Sequence, residues 1–172
     1  MGKSRVKNVM QVVIDGKQFS SRTEAFYYTL LKSQCELGEI AGFRMQVPYL
    51  LQPQFRKCSR AGCDFVWEKP EDTSPDFPRY KKARQCPECE HMLELFHSLT
   101  YVSDFDVTNL DGSVSVIDVK SSKFFQTEIF KLKKKLFEFR YPGKRLEMVF
   151  PKLPKGWGKE FIVIKEETIK ND

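Results

Sequence analysis

No stretch of this 172-residue sequence approaches the roughly 18–20 consecutive apolar residues that span a bilayer, which excludes an α-helical membrane anchor. The N-terminal "MGKSRVKNVMQVVIDG" lacks the uninterrupted apolar segment of a secretory signal, so a cytoplasmic protein with no membrane partner is expected. No internal repeat or long low-complexity segment is present, which argues against a solenoid or a linker. Five cysteines without a secretory signal do not make a disulfide framework, because cytosolic thiols stay reduced.

What is present is a globular balance of 41% hydrophobic and 30% charged residues, in a chain long enough for one sizeable core and a small insertion. Lys and Arg outnumber Asp and Glu by 29 to 23, which suits a polyanionic partner without demanding one.

Periodicity predicts a helix over "SSRTEAFYYTLLKSQCELGEI", capped by Ser20 or Ser21 and stopped at Gly38. One stripe holds Phe26, Leu30 and Leu37; a second holds Glu24, Tyr27, Tyr28 and Leu31 and is expected to turn inward. "GFRMQVPYLLQPQF" reads as an extended segment broken by Pro48 and Pro53. Residues 56–92 lose all apolar period and read as an insertion. Strands are expected in "LELFHSLTYVSDFDVT" and "SVSVIDVK", joined by the turn "NLDG". A second helix starts at Thr127 with Ile129, Leu132, Leu136 and Phe139 as its apolar stripe, and the strands "RLEMVF" and "EFIVIKE" follow.

The hairpin carries acids where strands disfavour them. Alternation puts Asp104 and Asp106 on one face of the first strand, and Asp118 and Lys120 on one face of the second. Asp104 and Asp118 can then face each other directly or on a near diagonal. Two such carboxylates repel unless one is protonated or a cation joins them. Mg²⁺ or Mn²⁺, which prefer hard oxygen ligands, suit the pair, and Lys120 on the same face can orient water or stabilise charge on a phosphate. The plain alternative is a solvated hairpin with Lys120 paired to one acid.

The order of "SDF" at 103–105 and "IDVK" at 117–120 resembles the signature of the PD-(D/E)XK nuclease superfamily. Together with "DGKQFSSRTEAFYYTLLKSQCELGEI", "QVPYLLQPQF" and "KLKKKLFEFRYP" it is similar to small phage-borne members of that superfamily. The resemblance covers about residues 14–55 and 98–149. It implies an α/β, restriction-endonuclease-like αβββαβ core with a mixed sheet. It also implies Asp104 and Asp118 as ligands of a catalytic Mg²⁺ or Mn²⁺, and Lys120 as the catalytic lysine. Glu24 matches the helix-borne acid that archaeal Holliday-junction resolvases place beside the metal, although "SRTE" is also a capping box. Ser103 stands where the signature has proline.

Cys58-x4-Cys63 and Cys86-x2-Cys89 form two ligand pairs 22 residues apart, the pattern of two knuckles clamping one Zn²⁺. His91 and His97 are spare ligands, but four thiolates close a structural site. Cys35 reads as a small apolar residue of the first helix. The expected organisation is therefore a nuclease core of 1–55 and 93–172 with an inserted zinc ribbon over 56–92. Arg60, Lys81 and Lys82 of the finger and Lys131, Lys134 and Lys135 of the second helix are candidate DNA contacts; each set is equally a solvated surface. The expected function is a Mg²⁺-dependent endodeoxyribonuclease of phage DNA recombination or processing, selective for branched DNA and acting as a homodimer. The alternative is a catalytically weak DNA-binding or interaction subunit of a larger nucleoprotein machine.

Overall fold

A computed structural model describes residues 6–68, 85–122 and 127–168, apart from the side chains of 6–11 and 161–168. In chain order the elements are β1 (Val6–Ile14), β2 (Lys17–Phe19), α1 (Arg22–Glu36), β3 (Gly42–Gln52), β4 (Phe55–Cys58), β5 (Val66–Glu68), β6 (Leu93–Phe96), β7 (Leu99–Thr108), β8 (Val114–Val119), α2 (Glu128–Arg140), β9 (Leu146–Val149) and β10 (Ile162–Thr168). The chain divides into two compact units, Met1–Val47 with Ser103–Asp172, and Pro48–Val102. The second is wider at both ends than the expected 56–92 insertion, because it takes in the ends of β3 and β7.

In the first unit, Asp15 and Gly16 both adopt positive φ, 52° and 72°, and close β1 onto β2 in a two-residue turn. β10 pairs antiparallel along the other edge of β1, giving the order β10-β1-β2. The Asp15 carboxylate accepts hydrogen bonds from Tyr28 (3.0 Å) and Lys32 (2.9 Å), which ties this turn to α1. The β1–β2 hairpin was not among the expected elements. Its signal was an Asp-Gly pair after the run "VKNVMQVVI".

α1 begins where Ser21 Oγ accepts the Glu24 amide at 3.1 Å. It ends at Gly38, whose amide reaches Cys35 O and whose φ of +70° turns the chain so that Glu39 N reaches Gln34 O. Ala25, Tyr28 and Leu31 are buried against Phe105, Val107, Ile117 and Val119 of the sheet. The inward stripe is therefore the one through Tyr28 and Leu31. Leu30 and Leu37 of the other stripe are exposed, and Cys35 is only half-buried.

The central sheet has the order β3-β7-β8-β9. β7 and β8 are antiparallel in the register Phe105↔Ile117. β8 and β9 are parallel with Asp118↔Met148, and α2 supplies the crossover that parallel strands require. β3 is an edge strand, which accommodates Pro48 within it.

α2 starts at its Thr127 cap as expected, with Thr127 Oγ1 accepting the Phe130 amide. The stripe that packs inward is not the expected one. Phe130 and Phe137 are buried, whereas Ile129, Leu132 and Phe139 are exposed. The face that meets the core is therefore the one carrying two aromatic rings seven residues apart.

The second unit holds a three-stranded sheet, β5-β4-β6, with Phe55 and Phe96 stacked at 4.6 Å. Around its cysteines the buried residues are Cys58, Cys86 and Leu93, a very small core.

Candidate functional site

The register Phe105↔Ile117, continued by one residue, sets Asp104 opposite Asp118. Phe105, Val107, Ile117 and Val119 face α1, so the intervening acids project from the other face of the sheet. Asp104 lies one residue beyond the paired segment, where its Oδ2 accepts the Val119 amide at 2.7 Å. Burial is the main influence on this carboxyl. The Val119 bond and the Lys120 charge favour the ionised form, the charges of Glu24 and Asp118 oppose it, and the balance raises its pKa from 3.8 to about 7.

Asp118 is buried on β8, with the Lys120 ammonium 2.6 Å from its Oδ2. Lys120 is held at both ends. Its amide donates to Val149 O at 3.0 Å, and its ammonium lies 5.3 Å from the centre of the Phe130 ring. Glu24 enters from the first turn of α1. Its amide completes half of the capping box with Ser21, but its carboxylate accepts from Ser20 Oγ at 2.6 Å. The fourth acid, Asp106, is buried as a structural group, accepting from Ser103 Oγ at 2.8 Å and from Arg44 at 3.3 Å.

Charges from α1 (Glu24) and from the end of β8 (Asp118 and Lys120) thus act on one half-buried carboxyl of β7. Their closeness has a limit: among the described residues, the one group of three or more ligand side chains gathered tightly enough to hold a metal is that of the four cysteines.

Those cysteines sit in the second unit, with all four sulfurs within 4.8 Å of one another. Cys58 Sγ is 3.4 Å from Cys89 Sγ, and Cys63 Sγ is 3.7 Å from Cys86 Sγ. A tetrahedron with Zn–S bonds of about 2.3 Å has edges of about 3.8 Å, so the four thiols can hold a metal such as zinc. The knuckles come from local backbone. The Arg60 amide points at Cys58 Sγ (3.4 Å), Gly62 takes φ +81°, and Glu90 takes φ +62° as its amide returns to Cys86 O. A bond from the His91 amide, helped by the other three thiols, lowers the Cys89 pKa to about 6. At Cys63 the Phe65 amide favours the thiolate, but burial and the same crowding prevail and push the thiol up to about 12. His91 directs its ring nitrogen at Cys89 O (3.0 Å) and belongs to no ligand group.

The candidate DNA contacts separate. Arg60 and Lys135 are exposed. Lys131 pairs with Glu128 at 2.7 Å. Lys134 is engaged by Glu138 at 2.6 Å and by the Leu146 carbonyl, which makes it an anchor between α2 and β9. Lys81 and Lys82 lie outside the described residues.

The model of the DUF1064 family, described as "Protein of unknown function", matches residues 3–69 and 77–155, and the chain belongs to that family. No curated protein and no solved structure matches it. No described helix is long and apolar enough to cross a membrane.

Proposed function

We propose that the chain is a metal-dependent endodeoxyribonuclease of the PD-(D/E)XK type, with a structural zinc in its second unit. The observation that carries the reading is the half-buried Asp104, which lies across from Asp118 and feels the charges of Glu24, Asp118 and Lys120 together. The order α1, β3, β7, β8, α2, β9, with β8 and β9 parallel, supports it as well, since that superfamily's core runs αβββαβ.

Asp104, Asp118 and Glu24 offer hard oxygen donors that would hold Mg²⁺ or Mn²⁺. Such an ion supplies Lewis-acid activation of an attacking water. Lys120, fixed between Asp118 and Phe130, orients that water and stabilises negative charge on the phosphate. Lys131, Lys135 and Arg60 add bulk attraction to the DNA backbone. Four-way junctions are the preferred substrate by analogy with the helix-borne Glu24, and paired incisions across a junction would require a homodimer.

The experiment incubates the zinc-loaded protein with Mg²⁺ or Mn²⁺ and linear, nicked, flapped and four-way DNA, with Asp118→Ala alongside. Cleavage by the wild type, lost in the variant, is expected. Full activity of Asp118→Ala would overturn the assignment. One observation favours the weaker alternative of a DNA-binding or interaction subunit: the three carboxylates are not gathered as tightly as the cysteines. Junction binding without cleavage in either metal would select that alternative.

A further inference from the structure

The apolar stripe on α2 that faces away from the core has no role in the site above. Ile129, Leu132 and Phe139 are 69%, 58% and 87% exposed, and Leu136 between them is half-buried. At about 100° per residue the four side chains fall within an arc of roughly 80°, well apart from the buried Phe130 and Phe137. The spacing of three, four and three residues is that of a helix seam. Exposed apolar surface of this continuity marks an interaction site.

The flanks decide what fits. On one side of the stripe lie Lys131 and Lys135, with Glu128 already taken by Lys131 at 2.7 Å; on the other lie Lys133 and Arg140. A second copy is disfavoured by this pattern. An antiparallel two-fold pair brings each flank against itself, setting Lys135 near Lys135 and Lys133 near Lys133. A parallel pair sets Lys135 against Lys133. Both arrangements place like charges beside the seam, which is destabilising. DNA would satisfy the lysines but leave the apolar stripe in water.

We infer that this face of α2 docks an acidic amphipathic helix of a partner protein, whose apolar stripe covers Ile129, Leu132, Leu136 and Phe139 and whose flanking Glu and Asp meet Lys133 and Lys135. This is the helix-on-helix mode in which apolar anchors give affinity and flanking charges give specificity. The inference does not depend on the nuclease reading, and it competes with the DNA role proposed for Lys135, since a lysine paired with the partner's acids is withdrawn from phosphate.

The test titrates the full-length, zinc-loaded protein into a fluorescent synthetic helix with leucines at three-and-four spacing flanked by glutamates. A charge-reversed lysine version and anionic vesicles serve as comparisons. Binding of the acidic peptide at least ten-fold tighter than the basic one is expected, with loss of at least ten-fold in both Leu132→Ser and Phe139→Ser. Hydrogen-exchange protection should fall on 128–140. Both substitutions are at exposed positions, so circular dichroism should show folded variants. Equal binding of the two peptides, unchanged binding by the variants, binding of vesicles alone, or self-association through this face would each overturn the proposal.

Discussion

The two candidate metal sites of this chain are built from opposite chemistry, and their geometry differs accordingly. The four thiols close to within 4.8 Å of each other, whereas the carboxylates of Glu24, Asp104 and Asp118 are related by charge without gathering into such a group. A neutral thiol is a small apolar group and packs readily beside another, as Cys58, Cys86 and Leu93 do. Ionised carboxylates repel, so an acid site must be held open by its scaffold, with one member protonated or paired to a lysine. Asp104 raised to about 7 and Asp118 beside Lys120 are those two solutions side by side. A metal held by the thiols would thus supply folding energy where the surrounding core is very small, while crowded carboxylates cost stability and must lean on the larger core around α1.

The largest effect should therefore follow metal loss at the cysteines. Structural zinc contributes on the order of 10 kcal/mol, and the core around these cysteines is too small to replace it. Elemental analysis should find one zinc per chain. Chelation or Cys86→Ser should abolish hydrogen-exchange protection in β4, β5 and β6 and leave α1, β8 and β9 protected. Protection that survives chelation in that sheet would remove the contrast between the sites.

Next in size is the acid site. Asp118→Asn should slow cleavage on the order of 10³-fold, the several kcal/mol expected of lost metal-assisted charge stabilisation. Lys120→Ala should slow it on the order of 10²-fold. Both variants should keep the fold, and Asp118→Asn should bind DNA as well as or better than the wild type, because it carries one negative charge fewer. A gel-shift titration beside single-turnover cleavage separates these effects.

How legible each site was in the sequence follows from the same chemistry. The cysteine spacing pointed to its cluster directly, because local knuckles bring the ligands together. Alternation placed Asp104 and Asp118 on one face, and the observed register sets them opposite each other. Nothing in the spacing separates Asp106 from them; its burial and its contacts with Ser103 and Arg44 mark it as structural. The inward face of α2 is not legible in the sequence, because a helix with two apolar sets has no internal signal for which one meets the core, and here Phe130 and Phe137 turn inward instead of the longer row. The β1–β2–β10 sheet joins segments from the two ends of the chain, a pairing no local window can contain.

A pH titration sharpens the contrast further. With a folded value of about 7 against 3.8 when unfolded, Asp104 holds a proton in the folded state that the unfolded chain has released. The folded state therefore binds more protons between these values, and stability falls as pH rises from about 4 to about 7, by up to a few kcal/mol, then levels off. Asp104→Asn should flatten this dependence and melt at a higher temperature than the wild type at pH 8. Mg²⁺ should restore wild-type stability at pH 8 and have little effect on the variant, since a cation prefers the ionised group. A wild type whose melting temperature is constant from pH 5 to 8 without divalent ions would mean that Asp104 is not the strained member of the site.

The smallest effect separates the two roles open to Glu24. Its amide belongs to the helix cap through Ser21, while its carboxylate is held by Ser20. Removing the cap with Ser21→Ala should cost about 1 kcal/mol of stability and leave divalent-ion affinity nearly unchanged. Ser20→Ala leaves the cap in place but frees the carboxylate to swing on its side chain. If Glu24 belongs to the acid site, this substitution should weaken Mn²⁺ binding, measured calorimetrically, by a few-fold while thermal stability changes by less than about 0.5 kcal/mol. If Glu24 serves the helix alone, Ser20→Ala should leave Mn²⁺ affinity untouched and Glu24→Gln should follow suit. The cation would then be a matter for Asp104 and Asp118, and the analogy that favours junction resolution would lose its structural basis.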